Sequence, residues 1–363
     1  MEGVFFVCGT ERSGVGIRGT KFNDHFKKRI NSHIFYREGG MFNFFTQFKK
    51  INSINPQFFY ILDVGQRGLL TYLLLRLFGK KPELIIDTGD IPYEILKLHK
   101  PFSILNIYMM YFVEKILFKL SSKIIVRGSY HQKILKKYKK VYLIPDGVFT
   151  KDFAHPNKKE IFTLRKKFNP KSYVTVGLLG SINFLKRLKT CSGEETLEIL
   201  EILKDYPLKG IIIGDGDGFN YLKSLIEKKN LQGKVELLGR VEYSKVPEYL
   251  NLIDICLIPL SDHISMRVRT TGKFPLYLAS NRYIISTQVG DAKKYIKENG
   301  KIIYYSGLKD NTWTKRVSQE IEKILKKPSL LKKSSVGFKI AKENLDYNLL
   351  FEKLEKILLK EKN

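Results

Sequence analysis

The chain has 363 residues, enough for two or three domains at about 100–200 residues each. A hydrophobic content of 43% with 28% charged residues is ordinary for a globular protein and excludes a disordered or fibrous chain. Sixty-four Lys and Arg against 36 Asp and Glu leave a formal charge of +28, which fits an anionic partner: nucleic acid, lipid headgroups or a phosphorylated metabolite. The lysines are spread along the chain, so solvated side chains without a specific partner account for the charge equally well. Cys8, Cys191 and Cys256 are too widely spaced for a zinc site or a disulfide framework, and suit a reducing compartment. The longest apolar stretch, Pro101 to Val113, falls short of the roughly 20 residues of a spanning helix. With no signal-peptide pattern at the start, a cytoplasmic location is expected.

Taken in chain order, the predicted elements alternate. Gly3–Cys8 reads as a buried strand ending at Gly9, followed by a glycine-rich loop and a helix carrying Phe22, Phe26 and Ile30. Strands are expected at Ser32–Tyr36, Phe58–Val64, Glu83–Ile86 and Lys123–Arg127, and helices at Leu69–Phe78, about 101–120 and Tyr130–Tyr138. Tyr142–Pro145 closes the first half. Residues 150–172 are polar and Lys-rich, carry Pro156 and Pro170, and read as a linker.

The pattern then restarts. Strands are predicted at Tyr173–Leu179, Gly210–Ile213, Val235–Leu238, Ile255–Ile258, Tyr283–Ser286 and Ile302–Tyr305. Helices are predicted at Glu194–Leu203, Phe219–Lys228, Val246–Leu252 and Gly272–Leu278, with Lys-rich amphipathic helices from about Thr314 and Tyr347. Such alternation implies parallel sheets covered on both faces. The expected fold is α/β, with two Rossmann-like doubly wound domains, 1–165 and 170–335, facing across a cleft that takes the ligand.

Three loops carry candidate chemistry. Gly14-Val-Gly-Ile-Arg-Gly19 follows a strand and matches dinucleotide-binding spacing, with Glu38 about 20 residues on. A turn approaching some other ligand closely, or an ordinary flexible turn, fits the same glycines. Gly214-Asp-Gly-Asp-Gly218 lies between a strand and a helix, where backbone amides face a phosphate or a base; the later ligands of a calcium loop are missing. Arg267, Arg269 and Lys273 arrive just before a helix. Arg269 and Lys273, four residues apart, supply the charge that a departing diphosphate needs, although a solvated basic turn has the same spacing. His99 and His131 are expected on helix surfaces.

Several segments in order resemble the group 1 (family 4) retaining glycosyltransferases, which have the GT-B fold. They are Ile144-Pro-Asp-Gly-Val148 with Phe153, Val176–Ser181, Gly210–Gly216, Val235–Gly239 with Val246–Leu250 and Asp254–Pro259, Lys273–Ser280, and Ile284–Thr287 with Val289 and Gly290. The resemblance covers about 120–305. It implies a nucleotide-sugar co-substrate, UDP- or GDP-linked, no other cofactor and no metal, and transfer with retention. It also implies an N-terminal acceptor-binding domain, a C-terminal donor-binding domain, and C-terminal helices over 336–363 that pack back on the first domain.

On this resemblance Arg269 and Lys273 hold the leaving diphosphate, helped by Lys186 or Arg187 and the amides of Gly14 and Gly16. Gly214, Asp215, Gly216 and Arg240 fall to the donor nucleotide. Asp90 either orients the acceptor or caps the following helix. The family's two glutamates are replaced by Val268 and Leu276, which leaves an altered donor and a lost activity both open. Acceptors in this family are often lipid-linked or surface glycans, so a basic first domain could dock on anionic lipid. Two other readings remain: a GT-B protein acting on or binding nucleic acid, and a nicotinamide-dependent oxidoreductase resting on Gly14–Gly19 and Glu38.

Overall fold

The computed structural model describes residues 1–98, 104–138, 140–186, 188–331 and 335–359. His99, the start of the helix expected from about 101, and Arg187 lie outside the described residues. The chain forms two compact units: Met1–Asp146 with Arg267–Thr270 and the segment from Leu350, and Gly147–Met266 with Thr271–Leu349.

The first unit runs β1 (Glu2–Val7), α1 (Gly14–Phe26), β2 (Asn31–Tyr36), α2 (Met41–Ile54), β3 (Phe58–Leu62) and α3 (Gln66–Leu77). It continues with β4 (Glu83–Thr88), α4 (Pro92–Leu98), α5 (Ile104–Leu120), β5 (Lys123–Val126), α6 (Ser129–Ile134) and β6 (Val141–Leu143). Its strands pair in parallel in the order β2-β1-β3-β4-β5-β6, so the winding reverses between β1 and β3. β3 is buried along its whole length, the near-continuous apolar run expected of a strand covered on both faces. Phe5 is packed by the rings of Phe26, Phe58 and Tyr60, with centroids at 5.7, 5.7 and 5.1 Å. Gly19 lets α1 lie close on β1: a Cβ there would stand 2.8 Å from Val7 Cγ2.

The second unit begins with α7 (Thr150–Ala154), α8 (Lys158–Phe168), β7 (Val174–Leu179), β8 (Phe184–Leu185), β9 (Thr190–Cys191), α9 (Glu194–Ile202) and β10 (Leu208–Ile213). There follow α10 (Phe219–Lys228), β11 (Val235–Leu237), α11 (Val246–Leu250), β12 (Ile255–Ile258), α12 (Ile264–Arg267) and α13 (Lys273–Ala279). The chain then forms β13 (Tyr283–Ser286), α14 (Ala292–Tyr295), β14 (Gly300–Ile302), α15 (Trp313–Lys326), α16 (Val336–Asn344) and α17 (Tyr347–Leu359). The second sheet is also parallel, ordered β11-β10-β7-β12-β13-β14, with its reversal between β7 and β12. That is the strand order of the dinucleotide-binding Rossmann sheet. Trp313 is fully buried in the core and donates its indole N–H to Ile303 O at 3.2 Å.

The expected linker over 150–172 is instead largely helical. Asn157 accepts from the Glu160 N–H at 3.1 Å, the side-chain cap that starts α8. Leu164 and Phe168 then pack on the core, and Arg165 Nη2 reaches Asp254 Oδ1 at 2.8 Å. The polar surface of α8 hides that narrow apolar stripe when the sequence is read by composition. In the first unit, the residues of α17 from Leu350 pack on α1. Phe351 meets Phe22, and Glu355 accepts from His25 Nε2 at 2.6 Å and Arg29 Nε at 2.7 Å.

Candidate functional site

At the carboxyl ends of β7 and β10, three glycines hold the backbone where other residues do not fit. Gly180, Gly214 and Gly216 have φ of +146°, +147° and +156°. A Cβ on Gly214 would fall 1.9 Å from Gly180 O, and one on Gly216 would fall 2.4 Å from Ile182 O. The Gly180 amide donates to Ile213 O at 2.9 Å, Ile182 N to Asp215 O at 3.0 Å, and Gly214 N to Gly239 O at 2.8 Å. The two turns are therefore locked to one another, at the switch point where ligands of such sheets bind.

Lys273 opens α13 beside them. A Cβ on Gly180 would lie 2.8 Å from Lys273 Cε and 3.6 Å from its Nζ, so the ammonium stands over the glycine turn. One turn along the same helix, the Tyr277 hydroxyl accepts from Leu179 N at 2.8 Å, which ties α13 to the end of β7 and fixes where Lys273 points. Tyr277 escaped the sequence reading: within Phe-Pro-Leu-Tyr-Leu its hydroxyl reads as one more core side chain.

Glu195, in the first turn of α9, also faces this corner. Burial pushes its carboxyl up to about 7, partly opposed by the charge of Lys273, and its Oε2 is buried without a hydrogen-bond partner. The ordinary value is 4.5, so the folded unit favours the protonated acid. That stabilisation is complete below about pH 4.5 and is lost as pH rises through about 7. Glu195→Gln should therefore raise the unfolding free energy at about pH 8 by up to about 3 kcal/mol and leave it little changed near pH 4, as read by denaturant titrations at both pH values.

The remaining donor-side candidates are more open. Lys186, Asp215, Gly216 and Arg240 are exposed. Asp215 Oδ1 accepts from the Gly216 amide at 2.7 Å, and Asp217 Oδ1 from Phe184 N at 2.8 Å, so the second aspartate braces β8. Val268 is fully buried, while Leu276 is half-buried and packs against the core that holds Tyr277.

In the first unit, Ser13 caps α1: its hydroxyl accepts from Gly16 N at 3.1 Å and donates to Thr10 O at 2.6 Å. Gly14 therefore opens the helix, exposed, and the Gly16 amide is already taken up by the cap. A Cβ on Gly16 would lie 2.2 Å from Thr10 O, so close packing accounts for the second and third glycines of this run. Asp90 pairs with Arg269 Nη2, while Arg269 Nε is buried without a hydrogen-bond partner. The segment carrying Arg269 lies against Gly128, where a Cβ would fall 2.2 Å from Val268 O.

A charge network at the ends of β3 to β6 was not legible in the sequence. Arg18, 1% exposed, reaches Asp87 Oδ2 at 2.9 Å, Pro145 O and Ile144 O at 2.9 Å, and Asp146 Oδ1 at 3.4 Å. Arg127 Nη2 binds Asp63 Oδ1 at 2.8 Å and its Nε approaches Asp87 Oδ1 at 3.3 Å. Tyr60 completes it, donating to Asp87 Oδ2 at 2.8 Å. Burial holds the Asp63 carboxyl up to about 6 against the pull of Arg127. The available signal was single residues: an aspartate closing Glu-Leu-Ile-Ile-Asp, and an arginine inside the glycine run.

Two parallel doubly wound sheets of this kind define the GT-B class, and solved structures agree. Sucrose-phosphate synthase from Thermosynechococcus elongatus superposes with a TM-score of 0.76 over 99% of both chains at 13% identity. Anabaena Alr3699/HepE, solved with UDP-glucose, gives 0.75 over 99% of both at 13% identity. WaaG, a glycosyltransferase involved in lipopolysaccharide biosynthesis, gives 0.69 at 13% identity over 99% of this chain and 100% of its own.

Residues 165–335 match the family profile described as glycosyl transferases group 1. Over those residues the chain is similar to group 1 glycosyl transferases, and the solved structures above share its fold. The phosphatidylinositol N-acetylglucosaminyltransferase GPI3 subunit of Saccharomyces cerevisiae is 34% identical over 158 residues, 41% of this chain and 31% of that protein. The match thus spans about a third of the length of this curated relative.

Proposed function

We propose that the protein transfers a sugar from a UDP-linked donor to a lipid-linked or surface-glycan acceptor, with retention of configuration and without a metal, on the cytoplasmic side of a membrane. The observation that carries the donor half is the Lys273 ammonium held over the interlocked turns of Gly180 and Gly214. Anabaena Alr3699/HepE, of the same fold, was solved with UDP and with UDP-glucose, which supports the choice of nucleotide. The yeast relative's name specifies phosphatidylinositol as acceptor, which supports a lipid-linked one.

In this reading the bond between the sugar's anomeric carbon and the diphosphate breaks while the acceptor hydroxyl attacks the same face. The hydroxyl proton passes to the departing phosphate oxygen. Lys273 and Arg269 meet the developing negative charge, with Lys186 as a further cation, and Asp90 holds Arg269 through their ion pair. The three free cysteines suit the reducing cytoplasm. Val268 is buried and Leu276 packs on the core where the resembled family places carboxylates, so the sugar is recognised by other groups.

A hydrolysis screen over UDP-glucose, UDP-N-acetylglucosamine, GDP-mannose and ADP-glucose tests this. Turnover of a UDP-sugar is expected, and Arg269→Ala should lower it by about tenfold. Turnover of none of these donors, or thermal stabilisation by NAD(P) and not by UDP, would overturn it.

A further inference from the structure

The apolar side chains exposed on the first unit gather on one layer of helices. In α5, the residues facing the sheet are Val113, Leu117 and Phe118, yet the opposite face is apolar too: Leu105 is 75% exposed and Phe112 58%. α3 buries Leu69, Tyr72 and Leu75 and turns Leu70, Leu73 and Leu77 outward, the last 79% exposed. On α2, Phe44, Phe48 and Ile51 go inward while Phe42, 84% exposed, and Phe45 do not. The three helices adjoin: the ring of Phe48 meets that of Phe78 just past α3 at 5.6 Å, and Gln66 Nε2 lies 3.6 Å from Met109 Sδ. A contiguous outward apolar surface of this extent marks a contact with a partner protein or a membrane.

The charge on the same layer decides between them. α2, α3 and α5 together carry Lys49, Lys50, Arg67, Arg76, Lys115 and Lys119, and their only acidic residue is Glu114. Glu114 is 2% exposed and bonded to Lys115 at 3.1 Å, so these helices present no exposed carboxylate. Cores of protein–protein contacts are depleted in lysine, whereas Phe and Leu flanked by Lys and Arg are what an anionic headgroup layer takes up. Among the described residues no helix is long and apolar enough to cross a membrane, so the mode is interfacial.

We propose that the outward face of α2, α3 and α5 seats this unit in the headgroup layer of an anionic bilayer. The sense of such docking rests on the lipid-linked acceptor proposed above, but binding itself needs no donor. Leu77, Leu105 and Phe112 enter the interface, while Lys49, Lys50, Arg76 and Lys119 meet the lipid phosphates and carboxylates.

Flotation of the full chain with phosphatidylcholine vesicles, with and without phosphatidylserine, tests this at low and high salt. The native protein should float with the anionic vesicles at low salt and largely detach at high salt. Leu105→Ser combined with Phe112→Ser should weaken partitioning by about tenfold or more. Lys49→Gln combined with Lys50→Gln should weaken it by about fivefold for each cation removed. All four positions are exposed, so thermal midpoints and donor hydrolysis in vesicle-free buffer should be unchanged, which separates failure of docking from failure of the enzymatic reading. The proposal is overturned if the native chain does not float, or if the variants float as well as native. Equally, sedimentation as a dimer that Leu105→Ser and Phe112→Ser dissociate, without vesicle binding, assigns the face to a second copy.

Discussion

Lys273→Ala lowers kcat/KM for the sugar donor by about 10²- to 10³-fold, the expected loss when a fixed group aimed at developing charge is removed. The size follows from placement. The ammonium stands over a turn whose glycines exclude any side chain, and Tyr277 prevents α13 from retreating. A flexible lysine in water would not retain such an effect, because solvent would answer the diphosphate as well. Lys273→Arg keeps the charge but lengthens and forks the head beside Gly180, so it should recover only part of the rate. Tyr277→Phe leaves Lys273 in place and removes the tie to Leu179 N; a smaller loss, about tenfold in kcat/KM, identifies Tyr277 as the positioning residue. Steady-state kinetics on the three variants read all of this, and equal rates for Lys273→Ala and native would refute the assignment.

The second large effect concerns stability. Asp87→Ala strips partners from two buried guanidiniums and a buried phenol at once, and should destabilise the first unit by about 3–5 kcal/mol. Arg18 retains the carbonyls of Ile144 and Pro145, but carbonyl dipoles do not neutralise a buried cation. Asp146→Ala should cost far less, about 1 kcal/mol, because that side chain is 22% exposed and lies 3.4 Å or more from both arginines. Hydrogen exchange along β3 and β4 reads the first unit directly, while the sole tryptophan, Trp313, reports on the second. Unchanged protection in β3 and β4 of Asp87→Ala would show that the network is not structural.

How much of this was legible in the sequence depends on how many residues carry each signal. The strands were legible because runs such as Phe58–Leu62 and Gly210–Ile213 are apolar over their whole length between turn residues. The glycine turn at 214–218 was legible because glycine between a strand and a helix has few other uses. Lys273 was legible only through its neighbours, since one lysine among so many carries no signal alone. The Arg18–Asp87 network was not legible: its members come from five separate places in the chain, and each looks like an ordinary surface charge until the sheet brings them together. The outward apolar stripe of α3 was missed because apolar residues on a helix read as core whichever way they face, and α2 was not among the expected helices. The glycine run at 14–19 shows the opposite hazard: its spacing fits a dinucleotide loop, whereas packing against Thr10 and Val7 explains two of its three glycines.

The central claim is that a nucleoside diphosphate lies on the turns at Gly180 and Gly214 under the Lys273 ammonium. A crystal of the native chain grown with UDP measures this directly. The predicted result is the β-phosphate within about 3 Å of Lys273 Nζ, at hydrogen-bond distance. Diphosphate density at the Gly14–Gly19 loop instead, with the Lys273 side chain turned away from it, would contradict the account.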